Sequence, residues 1–282
     1  MTNLHAIITG GSSGIGRELG HRLAAAGYSL SLVARRKELL DEAAADIASH
    51  FISPSQRVFI RSADVSEVAQ AEAAVRACIA ELGAPDLVVT SAGVAVPGHF
   101  GDIPLEAHER SMAVNYFGSL YVVRAALPAM RARRKGRIVF ISSGAGLMGL
   151  FGYTTYSPSK FALRGLAEAL RAELSAVEIG VSIVYPPDTE TPMLEEENKI
   201  KPEETKLITG VVKTWSAEAV ADCIMRGISR GAFAITPGMA ITMMNRAPGV
   251  TIPFLSWYCD WLVAGLRRKR TQRSQASDNR AA

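Results

Sequence analysis

Short apolar runs alternate along this chain with longer stretches whose apolar positions recur every three to four residues. The first kind reads as strands and the second as helices. Residues 4–9, 29–34, 57–62, 86–90, 137–142 and 181–185 are the strand candidates. Residues 15–27, 37–50, 67–82, 105–134 and 156–179 are the helix candidates, the fourth with Pro128 near its end. Most of the strand candidates are apolar on both faces, as strands of a covered parallel sheet are. Strand and helix in regular alternation, joined by right-handed crossovers, predict an α/β fold built on a doubly wound, Rossmann-type parallel sheet. No Pro-, Gly- or Ser-rich linker breaks the pattern before about residue 235. Residues 1–236 therefore read as one domain, and residues 237–282 as a C-terminal extension.

A chain of 282 residues buries a sizeable core without staples. Its three cysteines, Cys78, Cys223 and Cys259, are widely spaced, which predicts neither a disulfide framework nor a metal site. The N-terminal residues run straight into a strand pattern with no basic segment or long apolar run before it, so a cytoplasmic location is expected. The net charge of +4 is uneven: from Arg267 onward six basic side chains face one acid, Asp278. Such a tail suits a solvated end or an anionic surface. Without an aromatic-interleaved basic face, nucleic acid is not an expected partner.

The first strand candidate ends in Thr9-Gly10-Gly11-Ser12-Ser13-Gly14-Ile15-Gly16 and a helix follows. Strand, glycine loop and helix in this order make a pyrophosphate cradle: glycines allow close approach, and the helix start, at Ser13 and Ile15, offers free N–H groups. Gly10, Gly14 and Gly16 are expected where a side chain would collide with the ligand. The second strand ends in Arg35 rather than an acid. An acid would bind ribose hydroxyls and repel a 2′-phosphate, whereas a guanidinium grips one. With the Ser12 hydroxyl nearby, this predicts NADP(H). Asp64 and Val65 close the third strand, where the carboxylate can accept from an adenine amino group. Ala92 and Gly93, after Ser91, close the fourth beside the cofactor.

Tyr156 and Lys160 stand four apart on a helix and so share a face. A phenol titrates near ~10, and a neighbouring ammonium is expected to lower that value and suit Tyr156 to acid–base work. Ser143, just after the fifth strand, can hold a substrate oxygen. Asn115 can position a water for a proton relay beyond Lys160. Tyr153 lacks a lysine partner at that spacing and reads as pocket lining.

With the glycine loop, the Ser143-Gly-Ala-Gly stretch, the Tyr156/Lys160 pair and Asn115 together, the chain from about residue 4 to about 235 resembles the short-chain dehydrogenase/reductase family. The resemblance implies that Asn115, Ser143, Tyr156 and Lys160 form a catalytic tetrad. It also implies ketone reduction with Tyr156 as proton donor, a ribose contact from Lys160, and homodimers or homotetramers paired through the helices at 105–134 and 156–179. Two positions depart from the common family pattern: Ser91 stands where Asn is usual, and Pro187 where Gly is usual. The stretch Tyr185-Pro186-Pro187-Asp188-Thr189-Glu190-Thr191-Pro192, followed by Glu195-Glu196-Glu197-Asn198, is similar to the branch that reduces sphingoid-base ketones with NADPH. That likeness implies a long-chain amphiphilic ketone substrate and a substrate loop at 188–215, with Pro186, Thr189 and Thr191 beside the nicotinamide carboxamide. A steroid or 3-oxoacyl ketone is an alternative substrate. A non-catalytic NADPH-binding regulator is another reading, against which the intact tetrad argues.

Residues 250–266 are apolar apart from Asp260 and cluster Trp257, Tyr258 and Trp261. The run is short of the ~20 residues that cross a bilayer. Flanked by the basic tail, residues 250–282 suit either a membrane surface or a subunit contact.

Overall fold

The structure is a computed structural model and describes residues 4–281. Met1 to Asn3, Ala282 and the side chains of residues 269–271 and 273–281, with most of the basic tail, lie outside the described residues. In chain order the elements are β1 (Leu4–Thr9), α1 (Gly14–Ala25), β2 (Tyr28–Ala34), α2 (Lys37–Ala48), β3 (Val58–Ser62), α3 (Val68–Leu82), β4 (Leu87–Thr90), α4 (Leu105–Ser111), α5 (Gly118–Arg133), β5 (Gly136–Ile141), α6 (Tyr156–Leu174) and β6 (Ile179–Val184). There follow β7 (Thr189–Glu190), α7 (Pro192–Ile200), α8 (Glu203–Thr209), β8 (Trp215–Ser216), α9 (Ala217–Ser229), β9 (Ala234–Ile235), α10 (Met239–Arg246) and α11 (Pro248–Ala281).

Seven strands form one sheet in the order β3-β2-β1-β4-β5-β6-β9, every pair parallel. Successive strand residues alternate between two cores. Ile7, Val88 and Ile138 face α3, α5 and α6, while Ile8, Val89 and Val139 face the side covered by α1, α2 and α9. Each such side chain, fully buried, stabilises by roughly 1.5–3 kcal/mol relative to exposure. The chain runs outward from β1 to β3, then returns to place β4 on the other side of β1. This reversal opens a crevice above the carboxyl ends of β1 and β4, the place where doubly wound sheets bind ligands.

Three features differ from the sequence-based expectation. The helix expected over 105–134 is three pieces, since a π-helical turn (Met112–Phe117) separates α4 from α5. The helix expected to 179 stops at Leu174, and Glu178 takes a left-handed φ of 60° before β6. Beyond residue 188 the chain is mostly helical, with a seventh strand, β9, at the sheet edge. The C-terminal segment is continuous with the domain: Ile241 and Met244 of α10 are buried in the main core, and α11 packs on α8 and α10.

Candidate active site

Above the strand ends lies a cleft of about 320 Å³, lined by the glycine loop, the β4 and β5 ends, α6, and side chains of α7, α8, α10 and α11. A narrower pocket of about 120 Å³ continues it toward β2 and β3, sharing Gly10, Ser13, Ala92 and Gly93.

The glycine loop needs its glycines for its own backbone. Gly10 has φ +67°, and a Cβ there would lie 2.8 Å from the Ser91 and Ala92 backbone; one at Gly16 would lie 2.4 Å from the Gly10 carbonyl oxygen. At Gly14, φ +51°, a Cβ would meet Thr191 Cγ2 at 2.8 Å. At these positions a side chain would meet the chain itself, so the loop's tight fold alone already calls for glycine. Ser13 begins α1 without a side-chain cap, so the first-turn N–H groups remain available for an anion. Ser12, Arg35, Asp64 and Val65 all line the narrower pocket. Arg35 is exposed and has no ion-pair partner among the described residues. The donor set fits a dinucleotide: the helix start would hold its pyrophosphate and Arg35 a 2′-phosphate.

Asp64 stands at the expected place but is engaged. Its carboxylate accepts from Ser66 N (3.0 Å), Ser66 Oγ (2.7 Å) and Arg110 Nη2 (2.8 Å). Partial burial opposes its ionisation, yet the Arg110 and Ser66 bonds win and hold the carboxyl at about 2. These bonds fix the carboxylate in the wall of the narrower pocket.

Tyr156 and Lys160 share the inner face of α6, with Lys160 Nζ 5.3 Å from the Tyr156 ring centroid and donating to Ile141 O at 2.9 Å. Ser143 Oγ accepts from Ala145 N at 3.1 Å and turns the chain into the cleft. The lowered phenol expected from the lysine is not found. Burial pushes Tyr156 up, Glu197 adds to the rise, and a Ser143 hydrogen bond opposes them. Burial also brings Lys160 down to about 8. Desolvation outweighs the pairwise attraction because both groups are enclosed. The phenol is therefore protonated at neutral pH, as a proton donor must be.

Asn115 sits in the π-helical turn, fully buried, and is absent from the cleft lining. Its Oδ1 accepts from Val94 N (2.8 Å), and its Nδ2 donates to Val94 O (2.9 Å) and Ser159 Oγ (2.8 Å). The side chain clamps the loop after β4 to α6. Pro186, Thr189 and Thr191 line the cleft. Thr189 Oγ1 donates to Pro187 O, and Thr191 Oγ1 donates to Thr189 O and caps α7.

Two contributors escaped the sequence reading. One is a buried polar cluster. Tyr153 OH donates to Glu197 Oε2 at 2.5 Å, and Lys201 Nζ lies 3.5 Å from Asp188 and 3.8 Å from Glu197. The other is the inner face of α11, where Leu255, Tyr258, Cys259 and Leu262 roof the cleft. Their spacing marks a helix face, but the segment is apolar all round, so only the fold says which side turns inward. Among the described residues no helix is long and apolar enough to cross a membrane.

The family model described as short chain dehydrogenase matches residues 4–202. A Bos taurus protein named 3-ketodihydrosphingosine reductase is 44% identical over 230 residues, which span 81% of this chain and 69% of that protein. A Danio rerio 3-dehydrosphinganine reductase is 42% identical, spanning 84% and 72%. A Dictyostelium discoideum 3-ketodihydrosphingosine reductase is 38% identical, spanning 94% and 83%. Among solved structures, an alcohol dehydrogenase from Thermococcus sibiricus complexed with 5-hydroxy-NADP superposes with a TM-score of 0.71 at 21% identity, over 83% of this chain and 95% of that one. At that identity the likeness shows the fold.

Proposed function

Because the chain belongs to the short-chain dehydrogenase family, we propose that it is an oxidoreductase that reduces 3-ketodihydrosphingosine with NADPH. That substrate is a long-chain ketone with an amine on the carbon beside the carbonyl. The observation that carries the reading is Tyr156 beside Lys160 and Ser143 in a largely apolar cleft. The relatives named for this activity support the choice of ketone.

The glycine loop, Arg35 and the ends of β4 and β5 would hold the reduced dinucleotide, which would supply a hydride for the carbonyl carbon. Tyr156 gives its phenolic proton to the carbonyl oxygen, and the Ser143 hydroxyl holds that oxygen in line. The phenolate left behind faces Lys160, whose charge stabilises it. Ile208, Val211 and Leu255 exclude water around the alkyl chain.

The test is oxidation of NADPH by the purified protein with 3-ketodihydrosphingosine in mild detergent, with NADH in parallel. Oxidation of NADPH and a weak response to NADH are expected. NADPH binding without oxidation would discard the sphingoid ketone and turn attention to steroid and 3-oxoacyl ketones.

The reading extends to where the protein works. The outer face of α11 exposes Phe254, Trp257 and Trp261, with Trp257 at 62% exposure, and Arg267 and Arg268 follow it. Aromatic residues beside basic ones suit a membrane interface, here the cytoplasmic face. On this reading the helix lies on the surface while its inner face admits the lipid. Flotation with anionic vesicles should be lost when Phe254, Trp257 and Trp261 become serine; equal flotation removes the membrane claim. Phe117 and Phe161, exposed beside α5 and on α6, fit subunit pairing through these helices, which light scattering reads as a dimer or tetramer.

A further inference from the structure

The cleft is apolar except close to the reacting end. The charged residues among its lining are Lys160, Asp188 and Glu197. Glu197 is only 6% exposed, and a carboxylate so enclosed is costly unless something repays its desolvation. Tyr153 clamps its Oε2, and the Tyr153 ring lies 5.6 Å from that of Tyr156. Among the described residues Oε1 accepts no hydrogen bond. Behind the pair, Lys201 stands outside the cleft lining and is shared between Asp188 and Glu197. Burial raises the Glu197 carboxyl, and the Tyr153 hydrogen bond and the charges of Lys201 and Lys160 oppose that rise. Lys160 acts on Glu197 through space but makes no ion pair with it among the described residues, donating instead to Ile141 O, so Oε1 is left for a cation of the ligand.

A buried carboxyl with one oxygen unbonded, one side chain from the proton donor in an otherwise apolar cleft, matches one substrate chemistry. It fits an alkyl ketone with a cationic group next to the carbonyl. A steroid ketone would leave the carboxylate unpaired, and an anionic 3-oxoacyl carrier would be repelled. We propose that Glu197 binds the ammonium of the amino ketone and so selects the substrate, with Tyr153 and Lys201 as the positioning residues that hold its carboxylate toward the cleft. Asp188 adds to the field. This rests on the sphingoid-ketone reading and deepens it.

Glu197→Gln keeps the side-chain shape and leaves an oxygen for Tyr153. The NADPH-loaded wild type and variant are given 3-ketodihydrosphingosine and the same chain lacking its amino group. The ammonium is present in ground and transition states alike, so its loss falls on KM. KM for the amino ketone should rise about ten- to a hundredfold with kcat little changed, and the preference over the amine-free ketone should collapse. Equal changes on both ketones, or none, overturn the proposal. Calorimetric binding of dodecylamine against dodecanol to the NADPH-loaded protein reads the site without turnover. An amine preference in the wild type, weakened severalfold by the milder Tyr153→Phe, supports the site even where the sphingoid ketone is not reduced, a result that would sink only the functional reading. No amine preference in the wild type overturns the site itself.

Discussion

The cleft has two walls of different construction. On one side stand the glycine loop and the ends of β1, β4 and β5, where backbone meets backbone at contact distance: a methyl group at Gly16 would lie 2.4 Å from the Gly10 carbonyl. On the other stand α7, α8, α10 and α11, which reach the cleft through side chains such as Met193, Ile208, Met244 and Leu255. Backbone offers the same groups whatever the sequence, so the first wall suits a cofactor common to many reactions. Side chains can be exchanged without moving their helices, so the second wall is where a ketone is selected. Tyr156 and Lys160 sit at the seam.

The seam should give the largest effect. Tyr156→Phe removes the proton and little else, since the ring remains among the same neighbours. kcat/KM should fall by about 10²- to 10⁴-fold, with NADPH binding and melting temperature close to wild type. Retained turnover would show that another group protonates the oxygen. Next come matched single changes on the two walls. Gly16→Ala should cost about 1–3 kcal/mol through overpacking against Gly10, visible as a melting temperature lower by several degrees and a weaker NADPH affinity. Leu255→Ala, in a half-buried roof position, should leave NADPH affinity unchanged and raise KM for long-chain ketones severalfold. If both changes altered NADPH affinity equally, the division between the walls would not hold.

The same division explains what could be read from the chain before it was folded. β1 has the bounds expected of it, and the glycine loop and the Tyr156/Lys160 pair lie where their spacing put them, because each is specified by residues a few positions apart. The doubly wound parallel sheet followed from strand–helix alternation. Asn115 was legible as a site residue but not as a clamp, because the π-helical turn that re-aims its amide leaves no mark in periodicity. Glu197 was hidden among Glu195, Glu196 and Glu197: which of three acids turns inward depends on how α7 leans on the cleft. The rise of Tyr156 was missed because a neighbouring ammonium is visible in spacing, whereas enclosure is a property of the whole fold.

The smallest effect tests whether that enclosure is real. Lys160 is buried and brought down to about 8 by desolvation, against an ordinary value near ~10.4 in the unfolded chain. Between these values the unfolded chain holds a proton on Lys160 that the folded chain has released, so stability rises with pH across the window. Below pH 8 both states are charged and the cost of the buried ammonium is fully present. Other groups oppose this trend: Cys78, pushed up to about 11, and Tyr185, pushed up to about 12, keep protons in the folded state that the unfolded chain loses. They remain in a Lys160→Met variant, so the difference between the two proteins isolates Lys160. The variant, freed of the buried charge but inactive, should gain in melting temperature relative to wild type at pH 7–8, and the difference should shift back toward wild type as the pH approaches 10. A difference independent of pH would mean that Lys160 is solvated in the folded protein, and that its charge reaches Tyr156 through water rather than through an enclosed site.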